Sequence, residues 1–156
     1  MSVISNVLLG IGNRARADDG VGVFISGLFR HPDWLSLDGG TSPENFTSRM
    51  RASGARTVVL VDAVRMGLAP GAVRRIPRER VQDTSIGTHD IPLSRLMDYI
   101  GISMGMRAVL IGIEPARLGP GEGMSPEVES AARSLVAALE DGSWRDIPEF
   151  EGSGAG

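Results

Sequence analysis

Thr57-Val58-Val59-Leu60-Val61-Asp62 is the stretch that decides the fold. Its β-branched and apolar residues run without polar alternation and are closed by a carboxylate. That is the signature of a strand covered on both faces, as in the middle of a parallel sheet. Two runs of the same kind lie on either side of it: Val7-Leu8-Leu9-Gly10-Ile11-Gly12 upstream and Arg107-Ala108-Val109-Leu110-Ile111-Gly112-Ile113 downstream. Trp34-Leu35-Ser36-Leu37, ending at Asp38-Gly39-Gly40, is a weaker strand. Ala72 to Ile76, after Pro70-Gly71, reads as a short, half-exposed one.

Between these runs the hydrophobic period changes from continuous to helical. Val21, Phe24, Ile25 and Leu28 recur at i, i+3, i+4 and i+7, making one apolar helix face. Ser42-Pro43-Glu44 offers an N-cap and a proline at the first helical position, and predicts a helix to about Ala52 with Gly54 just past it. Asp90-Ile91-Pro92 opens a helix with Leu93, Leu96, Met97 and Ile100 inward. Ser125-Pro126-Glu127 opens another with Val128, Ala132, Leu135 and Leu139 inward. Alternating strands and helices predict an α/β fold: a single three-layer domain over residues 1–148. Its twisted, mostly parallel central sheet would have about five strands, with helices on both faces. The Gly-rich, acidic stretch 149–156 reads as a disordered tail.

Composition narrows the chemistry. The chain of 156 residues suits one domain, and 42% apolar residues suffice for a core. There are no cysteines, which excludes disulfides, thiolate metal sites, iron–sulfur clusters and cysteine nucleophiles. The formal net charge of −3 and an aromatic content of only 4% argue against nucleic acid as a partner. No apolar stretch is long enough to span a membrane. Met1-Ser2-Val3-Ile4-Ser5 lacks the basic start and apolar run of a signal peptide, so a cytoplasmic location is expected. Size and surface polarity are compatible with a monomer.

In open α/β sheets the active groups gather beyond the carboxyl ends of the strands. Asp19 lies just past the first strand, Asp62 closes the central one, and His89 precedes the helix near Pro92. Two carboxylates and an imidazole suit a divalent ion such as nickel or zinc, and three protein ligands leave positions open for substrate or water. Each also has a plainer reading. Asp18 and Asp19 stand where carboxylates cap a helix. Asp62 would need a partner near a low-dielectric core, and His89, taken on its own, reads as a structural residue of a surface turn. His31 reads as a C-terminal cap or loop residue. Gly39-Gly40 after Asp38 makes a tight turn, and puts bare backbone where an extended peptide can approach. Gly10 and Gly12 resemble part of a dinucleotide loop, but Ala15 stands where a third glycine belongs, and acids at the helix start repel a pyrophosphate.

Taken in order, these segments resemble the hydrogenase maturation proteases. Val7 to Asn13 leading to Asp18-Asp19-Gly20-Val21-Gly22 is similar to the N-terminal signature of that family. Asp38-Gly39-Gly40-Thr41-Ser42-Pro43-Glu44-Asn45 is similar to its second motif, nearest the subgroup that processes formate-hydrogenlyase and archaeal-type large subunits. Val61-Asp62-Ala63 with Met66-Gly67-Leu68 and Pro70-Gly71 resembles the third, and Thr88-His89-Asp90-Ile91-Pro92-Leu93 the fourth. Gly112-Ile113-Glu114-Pro115 and Met124-Ser125-Pro126-Glu127-Val128 complete the series.

The resemblance implies an α/β fold and an aspartic-type, metal-recognising endopeptidase. Such an enzyme removes the C-terminal extension of a hydrogenase large-subunit precursor after nickel insertion. It implies that Asp19, Asp62 and His89 are both the catalytic and the metal-contacting residues. The nickel would be supplied by the substrate and not held permanently, with zinc or cadmium able to substitute. Asp38, Gly39, Gly40 and Thr88 would line the substrate path. Arg14-Ala15-Arg16-Ala17 departs from the more apolar stretch usual there, and its arginines are candidates for acidic groups on the partner. A non-catalytic nickel-sensing chaperone, and a small metal-dependent hydrolase of the same fold class, are the competing readings.

Overall fold

A computed structural model describes residues 3–86 and 90–152 of the chain. Five strands form one sheet: β1 (Asn6–Ile11), β2 (Trp34–Gly40), β3 (Thr57–Ala63), β4 (Val73–Ile76) and β5 (Arg107–Ile113), in the order β2-β1-β3-β5-β4. β2, β1, β3 and β5 are parallel, and β4 is an antiparallel edge strand. The continuous apolar runs are thus the three interior strands, where neighbouring strands and both helical layers exclude water.

Strand alternation divides the interior into two cores. Val7, Leu9, Ile11, Val58, Leu60 and Leu110 face one layer, made by α2 (Thr47–Ser53), α3 (Val81–Thr84) and α4 (Leu93–Asp98). Leu8, Val59, Val61, Val109, Ile111 and Ile113 face the other, made by α1 (Val21–Leu28) and α5 (Pro126–Asp141). Leu93, Leu96, Met97 and Ile100 are all buried, as are Val128, Ala132, Leu135 and Leu139, so the helical period located both inner faces. No helix among the described residues is long and apolar enough to cross a membrane.

Several local expectations are corrected. In α1 the buried stripe is Val21, Gly22, Ile25 and Ser26, while Leu28 is 40% exposed. Gly22 and Ser26 lie against β1, and Phe29, in extended backbone just past the helix, takes the buried place expected of Leu28. Phe24 is half-buried beneath the Arg133 guanidinium of α5, 5.5 Å from its ring centroid. Ser42 does not cap the next helix, whose first turn, Pro43–Phe46, is 3-10; its hydroxyl donates to Asp90 Oδ2 at 3.2 Å. Gly54 does end α2 in the left-handed conformation.

Glu149 and Phe150, assigned from composition to a disordered tail, are instead packed on the sheet edge. The Arg75 amide donates to the Pro148 carbonyl at 2.9 Å, and the Phe150 amide donates to the Arg75 carbonyl at 2.8 Å. These bonds satisfy the free side of the edge strand β4. Phe150, 6% exposed, joins the core on the α2/α4 face. A single buried aromatic was enough to outweigh the glycines after it.

Phe150→Ala is therefore expected to lower the unfolding free energy by about 3–5 kcal/mol. Glu149→Ala, at an exposed position, should change it by less than about 0.5 kcal/mol. Urea unfolding of both variants checks this; equal, small effects would return Phe150 to the tail.

Candidate functional site

The connection from β1 runs to β2 on one side, and β3 pairs with β1 on the other. The strand order therefore reverses between β1 and β3, and the crevice beyond their carboxyl ends is where open α/β sheets bind their ligands. Asp19 sits just past β1 and Asp62 near the end of β3, on either side of that crevice.

Gly12 lies between the backbone of Asp19 and the side chain of Asp62. Its φ is +141°, and a Cβ there would collide with the Asp19 carbonyl and stand 3.8 Å from Asp62 Oδ1. Only bare backbone fits between them. The Asn13 amide donates to both the carbonyl and Oδ2 of Asp19, each at 3.2 Å, closing the loop on itself. Asp19 and Asp62 are 1% and 2% exposed. In β3, Asp62 continues the alternation of Val58 and Leu60, so it belongs to the sheet face covered by α2 and α4.

Asp18 and Asp19 follow each other but do different work, and neither caps the helix they precede. The Asp18 carboxylate accepts from the amides of Ala116 and Arg117 at 2.9 Å, and from the Ser125 amide at 2.7 Å and hydroxyl at 2.9 Å. It thus clasps both ends of the loop between β5 and α5. Burial by itself would raise the Asp18 carboxyl, but donors from Ser125, Arg117 and Ala116 favour the anion more and hold it below the usual carboxylate value. The neighbouring Ala17 has a left-handed φ of 54°, strained for a residue with a Cβ. Its amide donates to the Gly121 carbonyl at 2.8 Å, so the same loop holds the strained turn that presents Asp19.

Asp38, Gly39 and Gly40 lie at the same sheet edge, one strand over. Gly39 is the extra residue of a bulge, since Gly10 pairs with Asp38 and Ile11 with Gly40. Asp38 is exposed, and its Oδ1 accepts from the Gly40 amide at 3.0 Å. The Gly40 carbonyl accepts from the Gly12 amide at 2.9 Å, linking this turn to the loop that separates Asp19 and Asp62. Thr88 and His89 lie outside the described residues.

Sequence reading placed Glu114 in a motif but gave it no role. Like Asp62 it is an acid ending a buried strand, and that was the available signal. It is 6% exposed, and its Oε1 accepts from the amides of Met66 and Leu68 at 2.8 and 3.0 Å. Its backbone also pairs with Gly71 and Ala72. Glu114 therefore fastens the loop that leaves β3 immediately beyond Asp62. Asp19 and Asp62 together offer hard oxygen donors to a divalent cation. Among the described residues no third His, Cys, Asp or Glu joins them in a metal-sized group.

Comparison with known proteins identifies relatives of the whole arrangement. A family model described as hydrogenase maturation protease matches residues 26–141. The chain is 30% identical over 141 residues to the hydrogenase 3 maturation protease of Escherichia coli, covering 88% of this chain and 90% of that one. Among solved structures, the Escherichia coli endopeptidase in solution is similar with a TM-score of 0.84 at 27% identity, covering 96% of this chain and 99% of that one. A NiFe hydrogenase maturation protease from Thermococcus kodakarensis is similar with a TM-score of 0.77 at 31% identity, covering 87% and 90%.

Because Asp18 has a lowered folded value, its stabilising effect is complete above the ordinary carboxyl value of 3.8 and is lost as the pH falls through that lower value. Asp18→Asn should cost about 3 kcal/mol at neutral pH. The gap to the parent should close progressively below about pH 4. Denaturant unfolding at a series of pH values measures both. A gap that stays constant into strong acid would mean that the charge on Asp18 does not hold the loop.

Proposed function

The chain belongs to the hydrogenase maturation protease family, and from that premise we propose that it trims the C-terminal extension of a nickel-loaded hydrogenase large-subunit precursor. Its role is in hydrogenase maturation, through endopeptidase activity. The observation that carries the finer reading is that two buried acids, Asp19 and Asp62, flank Gly12 at the switch point of the sheet, Asp19 with its backbone and Asp62 with its carboxylate.

In this reading Asp19, Asp62 and His89 grip the nickel that the precursor brings with it. One described neighbour supports the part of His89: Asp90, the residue after it, accepts a hydrogen bond from Ser42, just past the carboxyl end of β2. Carboxylate oxygens and an imidazole nitrogen suit such an ion, and coordination available only from a loaded precursor distinguishes it from an empty one. The Asp38–Gly40 turn and Thr88 line the path of the extended substrate chain. A carboxylate of the pair serves as general base toward the water that attacks the scissile carbonyl, whose polarisation is favoured by the neighbouring cation.

His89→Ala, Asp19→Asn and Asp62→Asn should each lower the rate of processing by about 100-fold or more, with the circular dichroism spectrum unchanged. Nickel-loaded and nickel-free precursor are incubated with each protein, and the products are weighed by mass spectrometry. Loss of the extension from the nickel-free precursor at the same rate, or normal processing by the His89 variant, would sink the proposed site.

A further inference from the structure

On the flank of β2, α1 and β2 line an open cavity of about 350 Å³. Arg14, Arg30 and His31 line it, over a floor that includes Trp34. We propose that this cavity is a carboxylate-binding subsite for the peptide being processed, with Arg14, Arg30 and the His31 imidazole as donors. The proposal rests on the endopeptidase reading for the source of the ligand, but not for the chemistry of the cavity.

Three observations support it. First, the charge is unbalanced. Neither Arg14 nor Arg30 has an ion-pair partner among the described residues. Arg30 donates from Nη1 to the Phe29 carbonyl at 2.7 Å, which anchors the side chain and leaves most of its fork of N–H groups available. Asp38 is the one acid lining the cavity, and its Oδ1 already accepts from the Gly40 amide. Two guanidinium groups against one carboxylate leave a net positive pocket, and guanidinium groups match a carboxylate in a bidentate, planar fashion.

Second, the histidine is oriented as a donor. His31 Nδ1 accepts from the Asp33 amide at 3.0 Å. In the neutral ring the proton is therefore on Nε2. The ring also stacks on Phe29, with centroids 6.4 Å apart and an interplanar angle of 16°, which fixes its plane. Trp34 meets Phe29 edge-on at 5.1 Å, so the apolar side of the cavity is rigid.

Third, the cavity is in register with the site. Arg14 belongs to the loop between β1 and Asp19, and Asp38 pairs with Gly10 at the end of β1. A chain crossing the carboxyl edge past Gly40 meets the cavity next. The neighbouring Arg16 does not line it; its Nε is buried and its backbone pairs with Gly121. Fold, not sequence adjacency, replaces the expected Arg14/Arg16 pair with Arg14, Arg30 and His31. The carboxylate has two possible sources, an acidic side chain of the extension or its free C-terminus, and the same donors serve either.

Gly27, in α1, also lines the cavity, and a Cβ there would meet only Arg14 Nη2, at 3.8 Å. Gly27→Glu thus delivers a tethered carboxylate to Arg14 without a backbone clash, and Gly27→Gln delivers the same bulk without charge. The test uses isotope-labelled full-length protein and four six-residue peptides: one glutamate or one glutamine, each with a free or an amidated C-terminus. The Trp34 indole and Gly27 amide resonances of the parent protein should shift with every peptide carrying a carboxylate and not with the amidated glutamine peptide. Whether the glutamate or the free C-terminus dominates assigns the source. In the variants the Trp34 indole reports. Arg14→Met, Arg30→Met and Gly27→Glu should each weaken binding at least about tenfold, while Gly27→Gln binds within a factor of about two to three. Equal losses in Gly27→Glu and Gly27→Gln, or equal binding of the amidated glutamine peptide, would overturn the proposal. Processing of the precursor is followed in parallel. Cleavage without carboxylate binding rejects the cavity alone, and carboxylate binding without cleavage rejects the endopeptidase reading alone.

Discussion

A Cβ at Gly10 would collide with the Gly22 carbonyl, and one at Gly22 would collide with the carbonyls of Val61 and Ile11. α1 therefore meets the sheet backbone to backbone, with its first turn resting on the ends of β1 and β3. A helix normally stands about 10 Å from the strands it covers, held off by side chains. Here the first turn is held much closer. The turn that leads into it, with Asp18 and Asp19, is drawn over the crevice as a consequence. Gly12 then sets how near Asp19 approaches Asp62. Larger side chains at these glycines would move the helix start and separate the two acids.

Among the described residues, four buried acids stand at this edge, in two pairs with different work. The carboxylate oxygens of Asp18 and Glu114 accept from backbone N–H groups of the loops that follow β5 and β3. Those hydrogen bonds replace the water that burial removes, and they keep irregular backbone ordered beside the crevice. Asp19 and Asp62 stand between these fastened loops. In the proposed reading these are the two carboxylates that meet the nickel of the precursor.

The same loop that separates the acids also carries Arg14 toward α1 and β2. The edge is thereby divided: anionic groups over the β1/β3 crevice, cationic groups over the flank of β2. A chain lying across it would meet opposite potentials at two points along its length. In the proposed reading that polarity sets the direction of the substrate chain as well as its position.

The sequence alone determined the layer order, because apolar runs and helical periods depend on neighbours a few residues apart. It located β1, β3, β5 and the inner faces of α4 and α5, and it singled out Asp62 because a charge at the end of a buried run is conspicuous. The burial of Asp19 and its closeness to Asp62 were legible only through the topological rule for strand ends. Tertiary structure decided the rest. It separated Asp18 from Asp19, identical in type and adjacent in sequence, by giving one a loop to clasp and the other a place beside Gly12. It turned Leu28 outward by seating Gly22 on the strands. It recruited Phe150 to the core and brought Arg30 and His31 to Arg14. For Asp18 and Phe150 the deciding partners, Ser125 and Arg75, lie far away along the chain. Local pattern carries the preference of a residue for burial or charge, but not the identity of the group that will satisfy it.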